Sequence, residues 1–279
     1  MERTGAAAGR EMHPVLTGFL RSLFVCALVA ATSAAARADV TVVDTTMAPI
    51  VRIDIAEGDV TVRTWDRQAV SIDGDPSLTI AKRKAPQYGE AVPIAIGETP
   101  HRGIDSISLP QESFVTAPIR PGSRDVVLIK STPATPRGPV TVLVPSDAVF
   151  VSARAVNGRL DVADYRGGTL MAITRGGAMT LSNVGGTVFA QTLRGPIVAR
   201  GSLFDRIRAR SLFGNVTFER CTVRQIEVTT VTGSIVYDGG SFEPGLARFE
   251  SSGGNVAIGA SGNVQYGAHA AGDGRVYTN

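Results

Sequence analysis

From Gly158 onward the chain repeats a glycine-led strand signal about every 19 residues. The glycines are Gly158, Gly177, Gly195, Gly214, Gly233, Gly254 and Gly274, at steps of 19, 18, 19, 19, 21 and 20. The second residue after each is apolar: Leu160, Met179, Ile197, Val216, Ile235, Val256 and Val276. The fourth is apolar in every complete repeat: Val162, Leu181, Ala199, Phe218, Tyr237 and Ile258. Seven, five and three residues before the glycines run further columns, Leu170/Ala172/Thr174, Val188/Ala190/Thr192, Ile207/Ala209/Ser211, Ile226/Val228/Thr230 and Ala247/Phe249/Ser251. Alternation of period two inside a longer fixed period means strands stacked as successive coils, each burying its apolar side against its neighbours. The pattern predicts an all-β, single-domain β-solenoid of ~19-residue coils. Coils spaced ~4.8 Å apart would make the six complete repeats a rod ~30 Å long.

Residues 1–38 read as a leader. Arg21 precedes the apolar run Ser22–Ala36, and Ala36-Arg37-Ala38 offers a small-x-small site, which places cleavage before Asp39. The 15 uncharged residues between Arg21 and Arg37 fall short of the ~20 that a spanning helix needs. A retained N-terminal anchor is the alternative, Met12 is a second possible start, and Val25 before Cys26 disfavours a lipoprotein site. The expected localisation is export, to the periplasm, the cell surface or the medium, with no stable transmembrane segment after cleavage. The leader holds four Arg and two Glu, so residues 39–279 carry 24 basic against 23 acidic side chains. With no basic stripe interleaved with aromatics, no nucleic-acid partner is expected. Lys82-Arg83-Lys84 reads as a solvated loop. Cys221, the one cysteine after residue 38, cannot form an intramolecular disulfide and reads as a small buried corner residue. A nucleophilic role would need a base nearby, and His101 and His269 sit in unrelated segments.

Asp39 to Asp75 is strand-like, and Gly58 with Val60 and Val62 matches the later signal, which predicts an early coil or a strand packed on the first one. Between 76 and 139 the pattern lapses at Pro76, Pro86, Pro93, Pro100, Pro110, Pro118, Pro121, Pro133, Pro136 and Pro139, since proline cannot donate to a ladder. An irregular insertion with a few edge strands is expected there, around Val126–Ile129. Regular repeats resume over 140–279. Asn157-Gly158, Gly167-Gly168, Gly176-Gly177, Gly185-Gly186, Gly239-Gly240 and Gly253-Gly254 are expected to supply positive φ at the corners. The N-terminal segment should cover one end of the stack. Arg275–Asn279 shows no cap at the other, which invites self-association through the C-terminal coil.

Three stretches together carry a resemblance: Val51-Arg-Ile-Asp-Ile-Ala-Glu-Gly-Asp-Val-Thr-Val-Arg63, Val140-Thr-Val-Leu-Val-Pro-Ser146, and Ala155-Val-Asn-Gly-Arg-Leu-Asp-Val162 with its glycine-led successors. The chain resembles the bacterial putative-adhesin family over roughly 40–279, least well in the 76–139 insertion. The resemblance implies a β-solenoid domain of unknown function on exported or envelope proteins. It offers no catalytic residues to carry over.

A site on a solenoid has to be built from outward positions. The third and fifth places after each glycine hold one neighbouring charged set, Arg200, Glu219 and Asp238, expected on three adjacent coils. It reads as a surface charge ladder, in which opposite charges on adjacent strands help slightly. A carboxylate pair for sugar chemistry is the sharper alternative. The hydroxyl column Thr174, Thr192, Ser211, Thr230 and Ser251 shares the inward parity and should bond the next coil's backbone. Trp65 reads as a plug over an early coil. No catalytic residue, cofactor or metal site is indicated; no cluster has metal-ligand spacing. The expected function is a non-catalytic adhesin or envelope-surface interaction protein whose partner is an envelope polysaccharide or protein. The alternatives are a self-assembling envelope element and, less favoured, a polysaccharide-active β-helix enzyme.

Overall fold

A computed structural model describes residues 39–85, 124–131, 138–243, 245–261 and 266–278. The expected leader 1–38 and most of the 76–139 insertion, His101 included, lie outside the described residues. Every regular element among these residues is a strand, and no helix there is long and apolar enough to cross a membrane. The N-terminal strands are β1 (Asp39–Asp44), β2 (Ile50–Glu57), β3 (Val60–Trp65), β4 (Ala69–Gly74), β5 (Thr79–Lys84), β6 (Asp125–Lys130) and β7 (Val140–Pro145). Then come β8 (Phe150–Asn157) and β9 (Leu160–Ala163), β10 (Thr169–Thr174) and β11 (Met179–Ser182), β12 (Gly185–Thr192) and β13 (Ile197–Arg200), and β14 (Leu203–Ser211) and β15 (Val216–Glu219). The last are β16 (Thr222–Thr230) and β17 (Ile235–Phe242), β18 (Ala247–Ser251) and β19 (Val256–Ser261), and β20 (Tyr266–Ala270) and β21 (Val276–Thr278).

Each successive pair from β8–β9 to β20–β21 is one coil, and corresponding strands pair in parallel. The repeat columns face each other in register, as in Met179↔Ile197, Ile197↔Val216 and Val216↔Ile235 on the short strands. On the long strands Leu170↔Val188, Ala172↔Ala190 and Thr174↔Thr192 do the same. The expected inward columns are buried except at Val276 in the last coil, and at the C-terminal end the core turns aromatic. Phe218 and Tyr237 stack with ring centroids 5.7 Å apart, and Tyr237 and Phe242 at 4.5 Å.

The glycine columns work differently from expectation. A Cβ on Gly177 would lie 1.7 Å from the Gly158 carbonyl oxygen, and every later member meets the preceding glycine's carbonyl in the same way. Backbone-to-backbone approach fixes glycine there, not a positive φ. Of the glycine pairs expected to supply positive φ, only Gly186 and Gly239 do so. The left-handed corner instead follows the short strands, at Asp164, Asn183, Gly201, Arg220 and Gly239, with φ of 54–62°. The hydroxyl column faces inward and bonds its own turn, with Thr230 and Ser251 also reaching the preceding coil's backbone. Among the described residues, the one bond to a following coil runs from Thr174 Oγ1 to the Thr192 hydroxyl at 3.0 Å, not to backbone. Thr230 Oγ1 accepts from the Gly233 N–H at 3.1 Å and donates to the Gly214 carbonyl at 3.2 Å. Ser251 repeats this with Gly254 and Gly233.

The N-terminal segment builds more than a cover. β2 and β3 form a coil beside β8–β9, with Ile53↔Ala153 and Val62↔Val162. On their other side lie β6 and β7, with Ile53↔Ile129 and Val62↔Val142. The chain therefore leaves the stack after β3 and returns to add the coil that precedes it in space. The 76–139 insertion is thus partly regular, and β7 does not lead straight into the β8 coil as the unbroken sequence pattern suggests. Antiparallel strands close this end: β4 on β7, β1 on β4, and β5 on β6. Lys82-Arg83-Lys84 is the end of strand β5, not a loop. Trp65 is half-buried and closes the β3–β4 turn rather than plugging a coil. Its Nε1–H donates to the Ala69 carbonyl at 2.6 Å, and the Arg67 guanidinium lies 5.2 Å from the ring centroid.

Candidate binding face

Parallel register turns each outward position into a row that crosses the strands. The row at the end of the short strands contains Arg200↔Glu219 and Glu219↔Asp238. Arg200 Nε donates to Glu219 Oε2 at 2.8 Å, and Nη2 reaches Oε1 at 3.5 Å. This forked hydrogen bond holds the Glu219 carboxyl below the ordinary glutamate range. A general acid needs the opposite shift, so Glu219 is poorly suited to protonating a leaving group. Asp238 is exposed beside it.

A second charged surface lies on the long strands, which the sequence reading passed over. Arg206, Arg208 and Arg210 alternate along β14 with the buried Ile207 and Ala209, so all three point outward. Opposite them on β16 stand Gln225, Glu227 and Thr229. Arg206 Nε donates to Gln225 Oε1 at 2.8 Å and Arg208 Nε to Glu227 Oε2 at 2.8 Å, while Arg210 Nη2 lies 3.7 Å from Glu227 Oε1. On β18, Arg248 Nη2 donates to Glu250 Oε2 at 3.0 Å. The signal was present as the alternation Arg206-Ile-Arg-Ala-Arg210. Near the start of the same long strands, Arg224 of β16 lies 3.3 Å from Glu243 and 3.9 Å from Asp205 of β14.

The other candidates are structural. Cys221 is fully buried with Sγ 3.5 Å from the Ala199 and Glu219 carbonyls, and burial pushes its thiol pKa up, away from a reactive thiolate. Among the described residues no group of three or more His, Cys, Asp and Glu side chains could hold a metal ion. A buried carboxylate, Asp125, went unread in the sequence. It takes the Thr46 N–H at 2.8 Å and ion pairs with Lys84 at 2.7 Å and Lys82 at 3.2 Å. Burial works against its charge, but Lys84, the Thr46 N–H and Lys82 outweigh burial and hold the carboxyl at about 2. It ties the edge strand β5 and the β1–β2 connection to the end coil, a structural role.

No family model and no curated protein matches the chain. A crystal structure of a putative adhesin from Parabacteroides distasonis ATCC 8503 covers 86% of this chain and 97% of its own, at 11% identity and TM-score 0.46. A putative adhesin from Parabacteroides merdae ATCC 43184 gives 86% and 96%, at 9% identity and TM-score 0.34. A putative cell adhesion protein from Clostridium sporogenes ATCC 15579 gives 86% and 97%, at 8% identity and TM-score 0.26. The structural neighbours of this all-β solenoid are thus bacterial proteins described as putative adhesins.

Proposed function

We propose that this chain is an exported, non-catalytic interaction protein of the adhesin type, binding an envelope polysaccharide or protein by multivalent contact along its lateral surface. The observation that carries this is the registered array of outward polar rows. Arg200–Glu219, Arg206–Gln225, Arg208–Glu227 and Arg224–Glu243 each join neighbouring coils of the parallel stack. Such a surface is rigid before contact, so binding orders few further groups. The test is retention of the purified protein on cell-wall and capsular polysaccharides, with released sugar ends quantified in the same tubes. Retention without release is expected. Release of product would overturn the non-catalytic reading, and amides at Glu219 and Asp238 would then locate the acid.

A self-assembling envelope element is the second reading, favoured by the last coil. Val276 belongs to a column that is 0% exposed at Met179, Ile197, Val216, Ile235 and Val256, yet it is 42% exposed, and Tyr277 is 49% exposed. β20 pairs only with β18 and β21 only with β19 among the described residues. Edge strands of this kind, without a charged side chain in β21, invite pairing with another strand. If the protein self-associates through this edge, Val276→Asp or Tyr277→Lys should yield monomers by light scattering.

A further inference from the structure

Charge is unevenly sorted among the outward rows of these coils. The short-strand row (Arg200, Glu219, Asp238) and the group at the start of the long strands (Asp205 of β14, Arg224 of β16 and Glu243 just after β17) each hold one arginine against two carboxylates. The long-strand face from β14 to β18 reverses this, with Arg206, Arg208, Arg210 and Arg248 against Glu227 and Glu250. Among these rows the positive excess thus lies on the long strands. That face is also grooved. One open cleft of about 220 Å³ lies among Arg206, Arg208, Gln225 and Glu227, and another of about 310 Å³ among Arg248, Glu250 and His269. Leu246 lines both, and it is 67% exposed where they meet.

We propose that these two clefts form one trough across β14, β16, β18 and β20 that binds a carboxylated or sulfated polysaccharide strand. The inference rests on the surface-interaction reading above and names its ligand class. The trough crosses the strands, so its length is a few strand spacings, about 15 Å. Arginine forks match carboxylate and sulfate oxygens. Glu227, Glu250 and the Gln225 amide suit sugar hydroxyls, and Leu246 supplies an apolar spot for a ring face. The same mixture argues against nucleic acid. Closely spaced phosphates would meet Glu227 and Glu250, and among the described residues the trough offers no exposed aromatic ring on which a base could stack.

Polygalacturonate and its fully methyl-esterified form provide the test, because they share a backbone and differ in charge; dextran sulfate is the sulfated probe. Immobilised polygalacturonate or dextran sulfate should retain the purified protein, and the methyl ester should not. Retention should vanish in about 1 M salt, where the screening length falls to about 3 Å. Arg206→Gln combined with Arg210→Gln should weaken binding by about tenfold or more with an unchanged thermal melt. Arg159→Gln, an exposed arginine outside all of these rows, should leave it within about twofold. Equal retention of the ester, tighter binding to single-stranded DNA, or an unaffected Arg206/Arg210 double variant would each overturn the proposal. If that double variant still holds cell-wall polysaccharide as the parent does, the surface-interaction reading stands and this trough falls. If no polysaccharide is held at all, the trough falls and the surface-interaction reading is confined to a protein partner.

Discussion

The two halves of the long-strand face share one backbone and one register, yet they present opposite chemistry. In the N-terminal half the outward residues Ile50, Val126, Phe150 and Met171 are buried and pack together with Ala85, joined by the partly buried Leu128 and Ile173. In the C-terminal half the same rows hold Arg206, Arg208, Gln225, Glu227, Arg248 and Glu250, exposed or half-buried. A single row shows the change, running Ser152, Met171, Phe189, Arg208, Glu227 and Arg248. The inward columns alone hold a coil together, so the outward rows are free to become a second core in one place and a recognition surface in another. The charged half presents its rows to a partner, whereas the N-terminal half covers part of its own and leaves Asp54 and Arg154 exposed by 47% and 34% at the margin.

The largest test of that contrast exchanges the two characters within this row. Met171 is 3% exposed, so Met171→Arg buries a charge with no partner and should cost about 3–5 kcal/mol. Arg208→Met, two coils further on, should change stability by less than about 0.5 kcal/mol. Urea unfolding of both variants measures the difference. Equal small effects would mean that the N-terminal half is as open as the other, and the contrast would be lost.

Acid should also separate the halves. The Asp125 carboxyl sits at about 2 in the folded protein, against about 3.9 for an unfolded aspartate. A lowered folded value means that the stabilisation is present in full above about pH 4 and disappears as the pH falls towards 2. Roughly 2 kcal/mol should be lost across that window, from the N-terminal end where β5 meets β6. Asp125→Asn should be less stable at pH 6 and show a flatter decline between pH 4 and 2. Unfolding midpoints at a series of pH values would check both points; parallel curves for the two proteins would remove Asp125 from the account.

The inward columns could be read in the sequence because period-two alternation repeats at a fixed interval, and burial leaves it no freedom. The outward rows were harder. Alternation predicts that the partners of inward residues face water, so Met171 between Leu170 and Ala172 reads as a gap in the pattern. A continuous apolar run such as Leu170-Met-Ala-Ile173 is the mark of a strand buried on both faces. The coil formed by β6 and β7 was hidden for another reason. Its place outside β2–β3 depends on a non-local crossover that no local pattern encodes. The Arg200–Glu219–Asp238 row was legible from repeat spacing alone, whereas the Arg206–Arg210 stripe required knowing which sides gather excess charge. Asp125 was unreadable because its partners, Lys82 and Lys84, lie about 40 residues away in sequence across an antiparallel pair.

The left-handed corner makes a smaller contrast between the halves. Coils nearer the N-terminus fill it with Asp164, Asn183 and Gly201, residue types that accept positive φ, and Asn183 Nδ2 donates to Asp164 Oδ1 at 2.7 Å. The next coil uses Arg220 at φ 54°. A long side chain there pays the left-handed penalty, so Arg220→Gly should raise stability by about 1 kcal/mol, net of glycine's greater freedom in the unfolded chain. An unchanged denaturation midpoint would show that the Arg220 side chain recovers the strain through contacts of its own.

The smallest effect on stability is expected at the charged row that the sequence itself displayed, and its smallness is what makes it informative. Arg200 and Glu219 are well hydrated, and 49% of the arginine side chain and 36% of the glutamate's is exposed. Their attraction is therefore opposed by the ordering of two long side chains and screened by salt. Arg200→Gln, Glu219→Gln and the double variant should melt together at moderate ionic strength. Any coupling visible in low salt should fade as salt is added. Because folding is indifferent to this pair, a change in polysaccharide retention on its removal would report on contact alone. Loss of binding at Arg200→Gln with binding kept at Arg206→Gln/Arg210→Gln would move the recognition surface from the long strands to the short ones. The mixed charge of the first row, rather than the positive excess of the second, would then be what a partner reads.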